Sequence, residues 1–252
     1  MAAFDSSTMS GSMSATAVRT PRVFAPLKSG TATTAGAGSS GPAQELPTLE
    51  GVVFDVDGTL CQPQTYMFGE MRRVLGIPKT VDILDHVYSL PEASQAAAHE
   101  AIRAIERRAM DEQAAQPGLA ELMQYLDSRG IRKGICTRNF DLPVKHLLDT
   151  YLPDSLFHPI VTRDFRPTKP DPAGILHIAS TWGLAGPDAS GLIMVGDSID
   201  DMTAGRRAGA ATVLLANEVN KHLVEHDHTD LVIDRLDELI GVLENGFVGR
   251  KL

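Results

Sequence analysis

The sequence of 252 residues has few cysteines, few basic residues and no long apolar run. Its two cysteines, Cys61 and Cys136, are too few for a disulfide framework, which indicates a reducing compartment. No apolar run approaches the roughly 20 residues that a membrane-spanning helix needs, so we expect a soluble, cytoplasmic protein without a membrane partner. Lysine and arginine total 23 against 32 acidic residues, and this net charge of −9 argues against nucleic acid as a main partner.

The N-terminal stretch differs in composition from the rest of the chain, being rich in Ser, Thr, Ala and Gly. It has almost no periodic apolar face to offset the entropy lost on ordering, so we predict a disordered tail over residues 1–46. Up to residue 43 it carries three basic residues against a single acid, Asp5. That composition is typical of transit peptides, so mitochondrial import is the alternative to a plain flexible tail. The short segment "RVFAPL" (22–27) could also dock on the folded part, although no sequence pattern indicates that it does.

After Pro47, short apolar runs alternate with helix-length segments. The runs are rich in Val and Ile, as buried strands are. They are "GVVFD" (51–55), "IRKGICT" (131–137), "PIVTR" (159–163), "LIMVGD" (192–197), "ATVLL" (211–215) and "LVI" (231–233). This alternation predicts an α/β fold in which a doubly wound parallel sheet is covered by helices on both faces.

One interval, residues 62–116, interrupts the alternation because it contains no strand candidate. Its apolar residues recur three and four positions apart, which predicts three or four helices. We therefore predict a catalytic core made of residues 47–61 and 117–252, with residues 62–116 inserted after the first strand as a small all-helical cap.

Polar clusters follow four of the predicted strands. Asp55 and Asp57 follow the first, "CTRN" with Thr137 the second, "RPTKPDP" with Lys169 the third and "GDSIDD" with Asp197 the fourth. Turn and helix-cap chemistry could explain each cluster singly. Ligands of an open parallel sheet, however, bind outside the carboxyl ends of its strands. Four clusters in this order at one edge therefore favour a functional site.

Carboxylates this close repel one another, and they stay ionised near neutral pH only where a cation lies among them. Asp55 with Asp197 and one of Asp200 or Asp201 supplies the hard oxygen ligands that Mg²⁺ prefers. Asp55 can then attack phosphorus and form an aspartyl-phosphate. Asp57 can protonate the leaving alcohol and later deprotonate the attacking water.

The neighbouring residues have the chemistry to support such a reaction. Gly58 permits a sharp turn and a close approach to substrate, and Thr59 can brace that turn. Thr137, at the start of a helix, can hold phosphoryl oxygens, and Lys169 adds a positive charge for the nucleophile and the transferred group.

The motifs "DVDGTL", "CTRN", "KPDP" and "GDSIDD" resemble, in order and spacing, the four motifs of the haloacid dehalogenase superfamily, over about residues 49–243. The resemblance implies a Rossmann-like core, a small helical cap, Mg²⁺ dependence and Asp55 as the nucleophile. It also implies a metal-binding set of Asp55, Asp57, Asp197 and Asp201. Members with a second Asp at the position of Asp57 are usually phosphatases or phosphotransferases. More narrowly, the sequence is similar to fungal hydrolases of this superfamily.

The predicted cap can determine substrate specificity. A helical insertion that closes over the strand ends would exclude water and add side chains to the site. The candidate contacts near its entry are Gln62, Gln64, Tyr66, Met67 and Arg72, and beside Thr137 they are Arg138 and Asn139.

Three functions are compatible with these residues. The first is a Mg²⁺-dependent phosphatase that hydrolyses a small phosphorylated metabolite through an aspartyl-phosphate. The second is a phosphomutase that uses the same intermediate. The third is a non-catalytic regulatory protein that binds a phosphorylated ligand, which the complete set of motifs disfavours. We expect a monomer or a weak homodimer.

Overall fold

The computed structural model describes residues 20–27, 46–64, 66–184 and 186–250. Its strands are β1 (Gly51–Phe54), β2 (Arg132–Cys136), β3 (Ile160–Val161), β4 (Leu192–Gly196), β5 (Ala211–Leu215) and β6 (Leu231–Ile233). They form one sheet in the order β3-β2-β1-β4-β5-β6, and every neighbouring pair is parallel. All six predicted strands are present, and the predicted parallel sheet is confirmed.

β1 lies inside the sheet between β2 and β4, and all four of its residues are buried. Successive side chains of a strand point to opposite faces, so β1 contributes to two cores. Val52 and Phe54 belong to the larger apolar cluster on one face, whereas Val53 belongs to the cluster on the other face. A strand buried on both faces reads as a continuous apolar run, which is the pattern of "GVVF".

Helices cover both faces of the sheet. In chain order, the helices of the described residues are α1 (Tyr66–Leu75), α2 (Ile83–Ser89), α3 (Glu92–Asp111), α4 (Leu119–Ser128), α5 (Asp141–Tyr151), α6 (Ala173–Thr181), α7 (Ile199–Ala208) and α8 (Glu238–Asn245). The last five of these, α4 to α8, cover the sheet. The apolar sides of α4, α5 and α8 pack into the larger cluster, and those of α6 and α7 into the second. None of the helices in the described residues is long and apolar enough to cross a membrane.

The interval after β1 is helical, as predicted. It contains α1, α2 and α3, which share a separate apolar cluster that includes Met71, Val87 and Ile102. The two linkers that join these helices to the sheet pair with each other. Gln62 N donates to Ala114 O at 2.8 Å, and Gln116 N donates to Leu60 O at 3.0 Å. The insertion is therefore attached to the core through one short paired junction.

Residues 20–27 differ from the predicted disordered tail. Phe24 is 2% exposed and packs edge-on against Phe247. The backbone N of Phe24 donates to Phe247 O in the C-terminal segment, and the backbone N of Ala25 donates to Pro47 O. Burial of the apolar Phe24 side chain offsets the conformational entropy that this segment loses on ordering. An average composition over the whole tail does not show the contribution of one residue. The remainder of the predicted tail, residues 1–19 and 28–45, lies outside the described residues. Mitochondrial import therefore stays a prediction.

Replacing Phe24 with alanine should lower the free energy of unfolding by about 3 kcal/mol, because it leaves a cavity against Phe247. Urea unfolding followed by circular dichroism measures the change. Val248→Ala is the control, since Val248 belongs to the same C-terminal segment but is exposed and should change stability by less than about 0.5 kcal/mol. Equal stability of Phe24→Ala and the parent protein would contradict the docking of this segment.

Candidate active site

Three carboxylates meet at the carboxyl edge of the sheet. Asp55 directly follows β1, Asp197 directly follows β4, and Asp201 lies in the first turn of α7. Each offers an oxygen within 4.8 Å of an oxygen of the others. Across the described ranges, these are the residues grouped closely enough to hold a metal ion. The pairing of β1 with β4 therefore brings together acids that are far apart in the sequence.

Lys169 lies between two of these carboxylates. Its Nζ donates to Asp55 Oδ1 at 2.7 Å and also to Asp201 Oδ1. Burial would lower the pKa of Lys169, but the charges of Asp201 and Asp55 outweigh burial and raise that pKa above its usual value. Lys169 therefore stays protonated and places a positive charge against the predicted nucleophile.

One lysine does not balance three acids, of which Asp55 and Asp201 are buried and Asp197 is half-buried. Burial, with the charge of Asp201 adding to it and Lys169 opposing it, raises the pKa of Asp55 to about 6. Burial, together with the charges of Asp201 and Asp55, raises the pKa of Asp197 to about 7. A group of hard oxygen ligands that lacks positive charge fits a divalent cation.

The structure distinguishes Asp201 from its neighbour Asp200, which the sequence left open. Ser198 caps α7, and Asp201 Oδ2 accepts hydrogen bonds from Ser198 N at 3.0 Å and Ser198 Oγ at 2.6 Å. This capping box holds Asp201 in the buried group. Asp200 instead accepts a hydrogen bond from Arg138 Nη1 at 2.6 Å, and the Arg138 side chain is largely exposed. Asp201 is therefore the acid that joins the site.

The turn that leaves β1 requires glycine. Gly58 has a φ of +79°, and a Cβ at this position would overlap the carboxylate of Asp197. Thr59 is buried, and its N donates to Val56 O at 3.1 Å. The Thr59 hydroxyl has no hydrogen-bond partner among the described residues. The backbone of Thr59, rather than its hydroxyl, therefore braces the turn.

Asp57 lies beside the acid group, but its carboxylate is not a member of that group. The Asn139 side chain and the Cys61 thiol form hydrogen bonds with the Asp57 carboxyl group. Burial raises the pKa of Asp57, while these hydrogen bonds and Lys169 act in the opposite direction. The carboxylates of Asp55, Asp197 and Asp201 thus form the group, whereas that of Asp57 bonds with Asn139, and the metal-binding role of Asp57 stays a prediction.

The loop after β2 is held against β3. Thr137 N donates to Val161 O at 2.9 Å, and Asn139 N donates to Thr137 Oγ1 at 3.2 Å. Arg163 N donates to Asn139 O at 2.9 Å. These bonds fix Thr137 and Asn139 at the edge where Asp55 and Asp57 lie.

The candidates in the insertion contact their own surroundings. Tyr66 OH donates to Glu112 Oε2 at 2.7 Å, and Arg72 Nη1 donates to Phe68 O at 3.3 Å. Gln62 belongs to the paired junction. The contacts seen in the described part of the chain connect none of Gln62, Tyr66 and Arg72 to the acid group.

Sequence reasoning missed two asparagines after β5. Asn217 Nδ2 donates to Asp197 Oδ2 at 3.3 Å, and Asn220 Nδ2 donates to Asp197 O at 2.7 Å. Both lie in "ANEVN", a polar cluster at the same sheet edge as the other four. The rule that located those four clusters would have located this one had it been applied to the fifth strand.

Comparison with known proteins indicates the family of this chain. Residues 49–209 match the model of the haloacid dehalogenase-like hydrolases. An uncharacterized hydrolase of Saccharomyces cerevisiae is 47% identical over 208 residues, which cover 80% of this chain and 94% of that protein. A phosphoglycolate phosphatase of Caulobacter vibrioides is 32% identical over 127 residues, about half of each chain (50% and 52%).

A solved structure shares the fold. The crystal structure of a predicted phosphoglycolate phosphatase from Haemophilus somnus superposes with a TM-score of 0.64 at 18% identity, covering 77% of this chain and 97% of the other. The match to the family model, the yeast relative and the grouped acids at the sheet edge agree with one another. The chain belongs to the haloacid dehalogenase-like hydrolase family.

Proposed function

We propose that the protein is a phosphatase that hydrolyses a phosphate monoester of a small metabolite through an aspartyl-phosphate on Asp55. The observation that carries this proposal is the grouping of Asp197, Asp201 and Lys169 around Asp55, with Asp57 two residues further along the chain. The phosphatase among its relatives supports the same class of substrate.

In the first step a carboxylate oxygen of Asp55 attacks phosphorus, and the bond from phosphorus to the ester oxygen breaks. Asp57 donates its proton to that departing oxygen, so the alcohol leaves neutral. Lys169 supports the attack because it opposes the effect of burial on the Asp55 pKa and keeps more of the nucleophile ionised. The phosphoryl group is then bound to Asp55.

In the second step water attacks the phosphorus of the aspartyl-phosphate. Asp57, now ionised, takes a proton from the water, and the bond from phosphorus to the Asp55 oxygen breaks. Inorganic phosphate leaves, and both acids return to their starting states. We assign Thr137, Gly58 and the backbone of Thr59 to the surroundings of the phosphoryl group, with Arg138 and Asn139 next to it.

Asp55, Asp197 and Asp201 would hold a divalent cation, for which we propose Mg²⁺. Hard carboxylate oxygens in a small group suit this ion. When bound, Mg²⁺ would neutralise the acids and stabilise charge on the phosphoryl oxygens.

The raised pKa values predict how Mg²⁺ and pH act together on stability. Without the cation, stability should fall as pH rises from about 4 to about 7, because native Asp55 and Asp197 retain protons that the unfolded chain has lost. Since Mg²⁺ binds the ionised acids, it should raise the melting temperature more near pH 8 than near pH 5. Thermal unfolding with and without MgCl₂ measures this difference.

Two variants control the experiment. Asp197→Asn should lose the Mg²⁺ effect, whereas Asp200→Asn should keep it, because Asp200 pairs with Arg138 outside the acid group. An equal Mg²⁺ effect at the two pH values would argue against a site made of these acids.

We also propose that residues 62–116 act as a cap. Burial raises the pKa of Glu106 on α3, and the largest opposing effect comes from the charge of Arg163, which follows β3. Arg163 in turn lies over the Phe140 ring, with 4.1 Å from its Cζ to the ring centroid. These contacts support an insertion that overlies the active edge, where Gln62, Tyr66 and Arg72 would contact substrate on closure.

The test is phosphate release from a panel of phosphorylated metabolites by the purified protein with MgCl₂. Release of inorganic phosphate supports the proposal. Formation of an isomeric phosphate without release would instead identify a phosphomutase. Binding of a phosphorylated metabolite without any turnover would identify a regulatory protein.

A further inference from the structure

A chain of buried polar side chains lies behind Asp57. Cys61 Sγ is 3.5 Å from Asp57 Oδ1 and also 3.5 Å from Val56 O, so its single S–H can donate to either acceptor, and Cys61 is fully buried. Gln113 Nε2 donates to Cys61 Sγ at 3.4 Å, and Gln113 is 6% exposed. When the thiol donates to Asp57 rather than to Val56 O, the three side chains form a continuous hydrogen-bonded series from Gln113 to Asp57.

Packing alone does not account for these contacts. A buried cysteine usually serves as a small apolar residue, for which valine or alanine would do as well. Cys61 Sγ instead accepts from an amide and lies within donating distance of the Asp57 carboxyl group. In a buried environment such hydrogen bonds are strengthened, and they limit the orientations of the groups that they join.

Two members of the series, Gln113 and Cys61, also bond to the surrounding structure. Gln113 O accepts a hydrogen bond from Tyr151 OH on α5, and Cys61 forms a backbone bridge with Ala115 in the paired junction of the insertion. The side-chain amide of Gln113 donates to Cys61, while its Oε1 is buried without a partner among the described residues. The contact with Cys61 is thus the one hydrogen bond seen for this amide.

The series contacts Asp57, the residue whose orientation matters for proton transfer in the proposed reaction. As an acid, Asp57 must direct its proton at the ester oxygen, and small errors in such geometry cost large factors in rate. Asn139 forms a hydrogen bond with the same carboxyl group. Contacts with Asn139 and Cys61 limit the orientations open to the Asp57 carboxyl group.

We propose that Cys61 and Gln113 are positioning residues that orient the carboxyl group of Asp57 for proton transfer. This inference rests on the proposed phosphatase function, in which Asp57 is the acid. Through Gln113, the orientation of Asp57 also depends on the junction between the insertion and the core.

The test compares two substrates of similar shape, 4-nitrophenyl phosphate and phenyl phosphate. Nitrophenolate leaves readily without a proton, whereas phenolate depends more on a donor, so a misplaced acid slows only the second substrate strongly. The measured quantity is kcat/KM, because it covers the steps up to loss of the alcohol. A merely structural defect would lower both values by the same factor.

Three variants carry the test. Cys61→Val removes the donor at similar volume and should raise the ratio of kcat/KM for 4-nitrophenyl phosphate to that for phenyl phosphate about 10-fold. Gln113→Leu should raise it in the same direction by about 3-fold. Gln113→Leu should also fold well, because it removes a buried polar group whose oxygen is unpartnered. Cys61→Ser keeps a donor and should restore most of the parent ratio.

Gln64→Leu is the matched control. Gln64 Nε2 donates to Ala109 O at 2.6 Å near the same junction without contacting Asp57, so the ratio should stay within about 2-fold of the parent value. An unchanged ratio in Cys61→Val and Gln113→Leu, or an equal change in Gln64→Leu, would overturn the inference while leaving the phosphatase proposal intact. No turnover of either ester by the parent protein with MgCl₂ would overturn the phosphatase proposal and this inference with it.

Discussion

Replacing Asp55 with asparagine is expected to reduce phosphate release by about 10⁴-fold or more, because the amide cannot form the acyl-phosphate bond. The fold should persist, since asparagine has nearly the same size and removes one of three mutually repelling acids. Release of inorganic phosphate from 4-nitrophenyl phosphate with MgCl₂ measures the loss, and circular dichroism checks the fold.

The control for this variant is Asp200→Asn. Asp200 lies at the same edge of the sheet but pairs with Arg138 outside the acid group. It should therefore lose less than about 10-fold in activity. If Asp55→Asn kept activity comparable to that of Asp200→Asn, Asp55 would not be the nucleophile.

Replacing Lys169 with methionine is expected to have the largest effect on stability. The Lys169 side chain is 3% exposed and contacts both Asp55 and Asp201, so its loss leaves two buried acids without their cation. Removing one partner of a buried ion pair typically costs about 3–5 kcal/mol in the free energy of unfolding. Urea unfolding in the absence of divalent ions measures this cost.

Two comparisons make this result specific. Lys145→Met removes an exposed pair with Asp149 on α5 and should cost less than about 0.5 kcal/mol. The cost of Lys169→Met should be largest near pH 8 and smaller at pH 6 and below, because the pKa of Asp55, about 6 with Lys169 present, rises further without it and the acid takes up a proton. MgCl₂ should also recover part of the loss. A Lys169→Met protein as stable as Lys145→Met would show that the acids need no internal cation.

The architecture was predictable because it depends on local pattern. Each strand buried on both faces appears in the sequence as a short apolar run, and each covering helix shows apolar residues three and four positions apart. The helical character of the interval after β1 followed from the absence of such a run. The boundaries of that interval as a domain stay a prediction, as do its role as a cap, the cytoplasmic location and the state of assembly.

Other features of the structure depend on packing between residues that are distant in the chain, and the local sequence pattern did not predict them. Phe24 lies in a stretch whose composition suggests disorder, yet one aromatic ring against Phe247 orders residues 20–27. The resemblance to the family motif favoured Asp201 over its neighbour Asp200, and the capping box of α7 shows how Asp201 is held in the acid group. Cys61 and Gln113 are separated by the whole insertion, so their contact is invisible in the sequence.

The amino-acid sequence alone determined that this is a parallel α/β protein whose acids, threonine and lysine converge at one sheet edge, because strand order and chain direction send every strand end to the same side. Only the tertiary structure decided which carboxylates face one another, how far Lys169 offsets them, and which neutral groups contact Asp57. Those properties depend on side-chain directions and burial, which arise from contacts between residues distant in the chain.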